Sequence, residues 1–547
     1  MTDDHPQADE DPSRPAARAG DHARRLALAA VVVASATAMS RVVGLAREVL
    51  IAGAYGVDPA YNVFVSVSAV PNVVQQLFAD AAIGAALVPV LVALVTAGDV
   101  ARARRVTGSL LGFMLLVVGA VVLLIVAAAP DIVRWLYPEL TTTAATATEA
   151  ARYLRIVAPT ILVLSLAGVL SGVLVARERF TMPAVVSTVW NLVIITFVAV
   201  WNSSWGVDAL AVGVLCGTVA ELVLLALAVR AVHEPLSLNF HFRDSQMRRV
   251  LALMLPIAIT LGILNFNALI DLYFAQFVGR EAAAELHFAF RLYTLPQGIF
   301  AVTIGTVLFP SLSRFAAQHD MTRFRETLST GIRQTIFVSL PFLAWFTVLA
   351  VPVVRVVFQR QAFSAADTAA VAPVLAAFAL GLTFANVNML FNRSFQSMQR
   401  PWLPLYVGLA NLALNAVLDW ILLRWLGTPG IALSTSLVSI FNTAALAYLL
   451  RARVGGSEAR RLVVSIGKMA LSAGAAGAVA AGLWRVLESF AAGGFVAALL
   501  VLLLTVAASA GVYAGATRLL RVEELGLVWR TLRRRRGRRV VGDGRDG

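Results

Sequence analysis

The chain has 547 residues, 59% of them hydrophobic, with a mean hydropathy of +0.80 and a net charge of +14. So much apolar sequence excludes a soluble enzyme, and a basic surplus confined to the loops between apolar runs reads as membrane topology rather than nucleic-acid binding. Cys216 is the single cysteine, which excludes an intrachain disulfide and a cysteine-based metal cluster.

Residues 1–22 are polar, acidic and proline-containing, and read as a disordered cytoplasmic tail. The apolar run that follows is too long and too rich in arginine to be a secretory signal. Apolar stretches near the bilayer-spanning length then recur at 26–56, 60–98, 105–129, 149–176, 182–202, 208–231, 249–277, 282–316, 327–354, 366–396, 402–424, 428–450, 462–486 and 492–518. Strand alternation is absent, so an outer-membrane barrel is not expected. The prediction is an all-α polytopic membrane protein of about fourteen transmembrane helices. The first, second and eighth spans exceed a straight perpendicular helix and must tilt, bend or project. Pro71 and Pro89 in the second span, and Pro296 and Pro310 in the eighth, mark the bends.

Arginines sort the loops. Arg102, Arg104 and Arg105, then Arg177 and Arg179, Arg243, Arg248 and Arg249, Arg314, Arg323 and Arg325, and Arg451, Arg453, Arg460 and Arg461 fall on one side with both termini. Asp58, Asp131, Asp208 and Glu281 lie in the opposite loops. Both termini are therefore expected in the cytoplasm, with the protein in the inner (plasma) membrane. The basic tail at 521–547 fits a stop-and-orient role.

The two halves echo each other. Arg179, Pro183, Asn191 and Gly206 recur as Arg400, Pro404, Asn411 and Gly427, an offset of about 221 positions, or six spans. An even number of spans per repeat implies parallel copies. The expected organisation is an N-lobe at 23–231, a linker at 232–248, a C-lobe at 249–453, two added helices at 454–520, and the tail. The lobes are expected to be related by pseudo-two-fold symmetry around a central cavity, a transporter architecture.

Among the arginines inside spans, Arg41 and Arg47 interrupt the first and Arg291 sits in the eighth. An ionised side chain at the bilayer centre costs roughly 2.5–3.5 kcal/mol on insertion scales, so such groups face a wet cavity or a partner. Several cations with few acids beside them suit an anion. The competing reading is helix-to-helix pairing, with Glu48 or Asp80 as the counter-ion.

The segment Ser40-Arg41-Val42-Val43-Gly44-Leu45-Ala46-Arg47-Glu48 resembles the first-helix signature of the MurJ (MviN) lipid II flippase family. Val70-Pro71-Asn72 with Leu77-Phe78-Ala79-Asp80 is similar to its second-helix signature. Arg291-Leu292-Tyr293, Leu295-Pro296 and the run from Gly305 to Ser313 are similar to its eighth. The resemblance covers most of the chain. It implies export of undecaprenyl-pyrophosphate-linked peptidoglycan precursor by alternating access, with lipid II, membrane lipids and cell-wall synthesis proteins as partners and no covalent chemistry.

It also assigns substrate contact to Arg41, Arg47 and Arg291, with Asn62, Gln75 and Asp80 beside them, and gating to Pro71 and Pro296. A guanidinium offers fixed donors to pyrophosphate oxygens. The chain departs from the family at Asn62, where an acid is common, at Gln75, where an arginine is, and at uncharged Gln76 and Phe290. Asn415 and Asp419 share a helix face. With Asp271, Thr435 and the Ile431 carbonyl they resemble the family's sodium site, and all-oxygen ligands suit a hard cation such as Na⁺. Three other functions compete. One is export of another cargo, either a different polyprenyl-linked glycan or a drug or small cation, another a flippase-like scaffold without transport, the third a membrane glycosyltransferase. The last lacks a nucleotide-binding motif and a large soluble domain here.

Overall fold

The computed structural model describes residues 14–526 apart from 79, 233–236, 304–307, 401 and 455–458. The first thirteen residues, the basic run at 533–539 and the side chain of Asp80 lie outside the described residues. Twenty α-helices follow one another, with no strand among the described residues. A lipid-embedded backbone must satisfy its own polar groups, and the helix does so within one segment.

The helices are α1 (Arg14–Tyr55), α2 (Pro59–Phe78), α3 (Asp80–Thr96), α4 (Val100–Phe113), α5 (Gly119–Ala127), α6 (Ala129–Leu136), α7 (Ala144–Val157), α8 (Pro159–Ala176), α9 (Thr181–Trp205) and α10 (Val207–Ala231). They continue with α11 (Ser245–Ala275), α12 (Ala282–Thr303), α13 (Phe309–Ala317), α14 (Met321–Val348), α15 (Ala350–Phe358), α16 (Ala365–Ser397), α17 (Trp402–Leu426), α18 (Thr428–Val454), α19 (Ala459–Ala491) and α20 (Phe495–Leu519). Ten helical stretches among the described residues are long and apolar enough to cross a bilayer, and Ala86–Thr96 and Phe266–Ala275 add shorter apolar pieces. The chain is an all-α multi-pass membrane protein. Several expected spans consist of two helices end to end. The 105–129 span contains a π-helical turn at Met114–Val118 between α4 and α5, and single π turns commonly bend a helix.

Matching devices recur about 221 residues apart. Asp99 accepts from the Arg102 N–H to cap α4, and Asp320 accepts from the Arg323 N–H to cap α14, each at 3.0 Å. Gly206 (φ 54°) turns α9 into α10, and Gly427 (φ 63°) turns α17 into α18. Glu178 and Gln399 take the left-handed conformation, φ 59° and 56°, ahead of the same helix pairs. Both α9 and α17 run 25 residues. Local chemistry thus ends and restarts the chain the same way twice.

The chain forms two compact units. One comprises the described residues up to Leu50, Val74–Ala128 and Tyr153–Ile259. In it α9 packs along α10, and α8 along α3 and α10. The segment before α11 lies across α4, where the Asn239 N–H donates to the Gly108 carbonyl at 3.1 Å. Arg102 anchors its far end, with Nε 3.6 Å from Asp244 and a bond to Ser245 Oγ of 2.9 Å. Desolvation is the largest influence on the Asp244 carboxyl and acts upward. The Gln246 and Met247 N–H groups and Arg102 outweigh it together and hold the carboxyl below its ordinary value.

The other unit comprises Ile51–Val73, Ala129–Arg152 and the described residues from Thr260. Its core joins α14, α16, α18 and α19 through Phe324, Leu328, Leu390, Phe395, Leu446, Met469 and Ala476. A second cluster sets α15 against α19 and α20 through Leu349, Val356, Trp484 and Leu502. A Ser364–Asp367 capping box starts α16.

Candidate functional site

Three clusters of polar groups among the described residues hold the side chains that the sequence singled out. The first is where α1 meets α9. Arg47 and Glu48 are 7% and 4% exposed and pair with each other through Nη2 and Oε1. The Arg47 guanidinium lies 4.6 Å from the Trp190 ring centre, a cation–π contact. Gly44 faces α9, where a Cβ would meet the Asn191 side chain at 3.7 Å, an ordinary contact. Asn191 Nδ2 donates to the Ser187 carbonyl at 2.7 Å. Arg47 Nε, Trp190 Nε1 and Asn191 Oδ1 are buried with no hydrogen-bond partner. Two donors and one acceptor without partners are costly in a dry interior; an anion oxygen would satisfy the two donors, and only a group with its own hydrogen the acceptor. Arg41, farther back on α1, is exposed.

The second place is the start of α12. Arg291 is exposed, and its Nε donates to His287 Nε2 at 3.3 Å. The His287 ring stands edge-on to Tyr61 and Phe288, with centroids 6.0 and 5.9 Å apart. His287 is therefore the residue that orients Arg291. Its i,i+4 spacing from Arg291 was the available signal.

Asn62 is 1% exposed, and its Oδ1 accepts from the Ala283 and Ala284 N–H groups at 2.8 and 3.1 Å. It thus supplies a cap to α12 from another helix, and in this conformation it presents almost no surface to a ligand. Tyr61 stacks on Tyr55 and Phe288, at 5.8 and 5.3 Å, and Phe288 meets Phe358 and Phe363. Close backbone contact finishes this seal. The Ala362 N–H donates to the Gly53 carbonyl at 3.0 Å, and a Cβ on Gly56 (φ 58°) would lie 2.6 Å from the Ala362 oxygen. Pro71 and Pro296 are buried inside α2 and α12, and Gln75 is half-buried on α2.

The third place joins α11, α17 and α18. Asn415 Nδ2 donates to Asp271 Oδ1 at 2.7 Å and lies 2.9 Å from Asp419 Oδ2. Thr435 Oγ1 donates to Asp271 Oδ2 at 3.1 Å. Ser434, which the sequence reading passed over, donates to Asp419 Oδ1 and lies 3.0 Å from the Ile431 carbonyl. Asn415 and Asp419 have no exposed surface. Two carboxylates are thus held by neutral donors, and Asn415 Oδ1 is buried with no partner. The donor set is all oxygen, two carboxyl groups stand side by side and one lone acceptor is unused, so the residues fit a hard monovalent cation.

Comparison with known proteins bears on the family and the fold. The family model MurJ, "Lipid II flippase MurJ", matches residues 51–506. A probable lipid II flippase MurJ of Rhizobium tropici is 30% identical over 76% of this chain and 79% of its own length. One from Synechocystis is 30% identical over 82% and 86%, and one from Vibrio cholerae 26% identical over 84% and 89%. A solved structure of lipid II flippase MurJ in an inward closed conformation superposes with a TM-score of 0.73 at 21% identity, covering 90% of this chain and 99% of that one. An inward-facing multidrug resistance MATE family transporter gives 0.61 at 14% identity, over 78% and 98%. At these identities the two structures speak for the fold.

Proposed function

The chain belongs to the MurJ family of lipid II flippases, and on that premise we propose how its polar groups move the lipid. It is a transporter, and lipid II is its substrate. The observation that carries this is the family match across residues 51–506. Movement runs from the cytoplasmic to the outer leaflet of the inner membrane by alternating access, with both termini in the cytoplasm.

The diphosphate of lipid II is the part that resists crossing, because its charges lose water. Arg41 and Arg291 are exposed guanidiniums within spans and supply donors to it. His287 presets Arg291. Arg47 begins paired to Glu48 and stacked on Trp190, so its share of the substrate comes at the expense of that pair. Asn62 serves the seal at the head of α12, and Pro71 and Pro296 give α2 and α12 the broken ladders along which they bend. Na⁺ at Asp271, Asn415, Asp419, Thr435 and the Ile431 carbonyl, with Ser434 as a further oxygen, is the coupling ion. The unused Asn415 oxygen and the two neutral-held carboxylates support it.

The test is replacement of the sole lipid II flippase in a depleted strain, paired with an assay of lipid II exposed on the outer leaflet. The parent chain restores growth and exposure. Arg41→Ala and Arg291→Ala each remove a charge-assisted contact of about 1.5–3 kcal/mol, roughly ten- to a hundredfold in affinity, and lose exposure at normal protein level. Failure of the parent chain to expose lipid II overturns the substrate, and full exposure by both variants overturns the arginine roles.

A further inference from the structure

At one end of the second unit, uncharged side chains hold backbone groups of segments distant in sequence. Gln276 follows directly on α11 and is 7% exposed. Its Nε2 donates to the Leu136 carbonyl at 3.1 Å and the Tyr273 carbonyl at 2.8 Å, and its Oε1 accepts from the Glu139 N–H at 3.1 Å. Both ends of the amide are thus occupied by the 136–139 turn. Between those two contacts Tyr137, 1% exposed, donates its hydroxyl to the Ser66 carbonyl of α2 at 2.7 Å. Burial pushes the Tyr137 phenol well above its ordinary value, so it stays a donor. One turn back on α2, Asn62 caps α12. The turn after α6 therefore bridges the end of α11 and the body of α2, beside the seal at the head of α12.

We infer that Gln276 is a positioning residue of the transport cycle, the pin that keeps the 136–139 turn on α2 and this end of the unit shut. Every bond in the pin joins a side chain to a backbone group or is itself uncharged. Such bonds bias an equilibrium only several-fold each, because water replaces them when they open. A seal made this way holds in one state and releases in another, whereas a wholly apolar core would stay closed. The inference extends the proposed alternating access, but its readout does not require lipid II to move. Failure of the flipping assay and failure of the pin are therefore separate results.

The experiment uses the full chain in lipid nanodiscs on a Cys216→Ser background. Val63→Cys on α2 is the reporter, since Val63 is 3% exposed and next to Asn62. Val407→Cys on α17 is the control, at 8% exposure. A water-soluble maleimide is added, and labelling rates are compared with Gln276 intact, with Gln276→Leu and with Gln276→Glu. Loss of three bonds raises reporter labelling by roughly tenfold or more in the leucine variant. The glutamate variant keeps the acceptor for the Glu139 N–H and rises less. The control does not change. Equal reporter rates with Gln276 and with leucine overturn the inference. So does a parallel rise at both cysteines, because that reports loosening of the whole fold.

Discussion

Asn415 spans two carboxylates with one amide, and this decides what the cluster in α11, α17 and α18 responds to. Its Nδ2 is shared between Asp271 and Asp419, so removing either acid changes the charge without removing the amide's other bond. Asp419→Asn keeps shape and lowers the negative charge by one. If the cluster takes Na⁺, the parent protein in detergent melts at higher temperature as NaCl replaces choline chloride. A ligand at a hundredfold its Kd adds about 2.7 kcal/mol. The variant is expected to lose that response, while its melting temperature in choline chloride stays near the parent's or rises as repulsion is relieved. An unchanged sodium response would remove the site. Asp271, Asn415, Asp419 and Thr435 were legible as a group because i,i+4 spacing and resemblance both pointed to them. Ser434 was not. A serine in an apolar helix more often bonds its own backbone, and Ser165, Ser394 and Ser439 do so here. Only the approach of α17 to α18 turns Ser434 toward Asp419. Asn62 was legible as polar and intramembrane, but a cap supplied by a different helix leaves no mark in local spacing.

At the scale of elements, α4 shows how two glycines create a seat for a strand of chain with no regular structure. Gly108 and Gly112 lie one turn apart, and a Cβ on each would lie 2.3 Å from the Ser237 oxygen and 2.2 Å from the Asn239 oxygen. Backbone therefore rests directly on backbone. Phe113 and Phe242 close edge-on at 6.2 Å, and Phe240 meets Phe242 at 6.1 Å. Both oxygens belong to carbonyls fixed by the chain, so no side-chain rotation relieves the clash. Gly112→Ala is predicted to lift the segment off α4 at a cost of about 1–3 kcal/mol. Hydrogen exchange read by mass spectrometry should show it, with the Asn239 amide exchanging faster and α9 and α10 unchanged. Wild-type protection at Asn239 in the variant would show that α4 shifts to accommodate the methyl. The expectation of a linker at 232–248 comes from Pro235, Arg243 and Arg248, which interrupt the apolar pattern there. Its seat was not legible, because glycine in a membrane helix is common and reads equally as helix-to-helix packing.

For the whole molecule, the question is how α19 and α20, which stand outside the repeat, are joined to the rest. The apolar part of the answer is the packing of α19 on α14 and of both helices on α15. Trp345 Nε1 on α14 also donates to Ser509 Oγ on α20 at 2.8 Å, and the Tyr513 hydroxyl donates to the Phe337 carbonyl at 2.9 Å. The polar part is a buried ion pair past the end of α20. Arg333 on α14 and Glu524 are 7% and 1% exposed and 3.0 Å apart. Ser465 on α19 donates to the other Glu524 oxygen at 3.3 Å. One carboxylate thus ties the end of α20 to α14 and α19 together. Desolvating both ions offsets much of their attraction, so the pair is a poor source of net stability but a costly one to halve. Arg333→Met leaves Glu524 buried with Ser465 and no cation, a loss of about 3–5 kcal/mol. Arg333→Met with Glu524→Leu removes both charges and fills the space with apolar atoms, which is often neutral or better. Thermal unfolding in detergent should therefore rank the single variant well below the parent and the double variant near it. If the double variant melts as low as the single one, shape rather than charge holds the added helices, and the ion pair is incidental to how they attach.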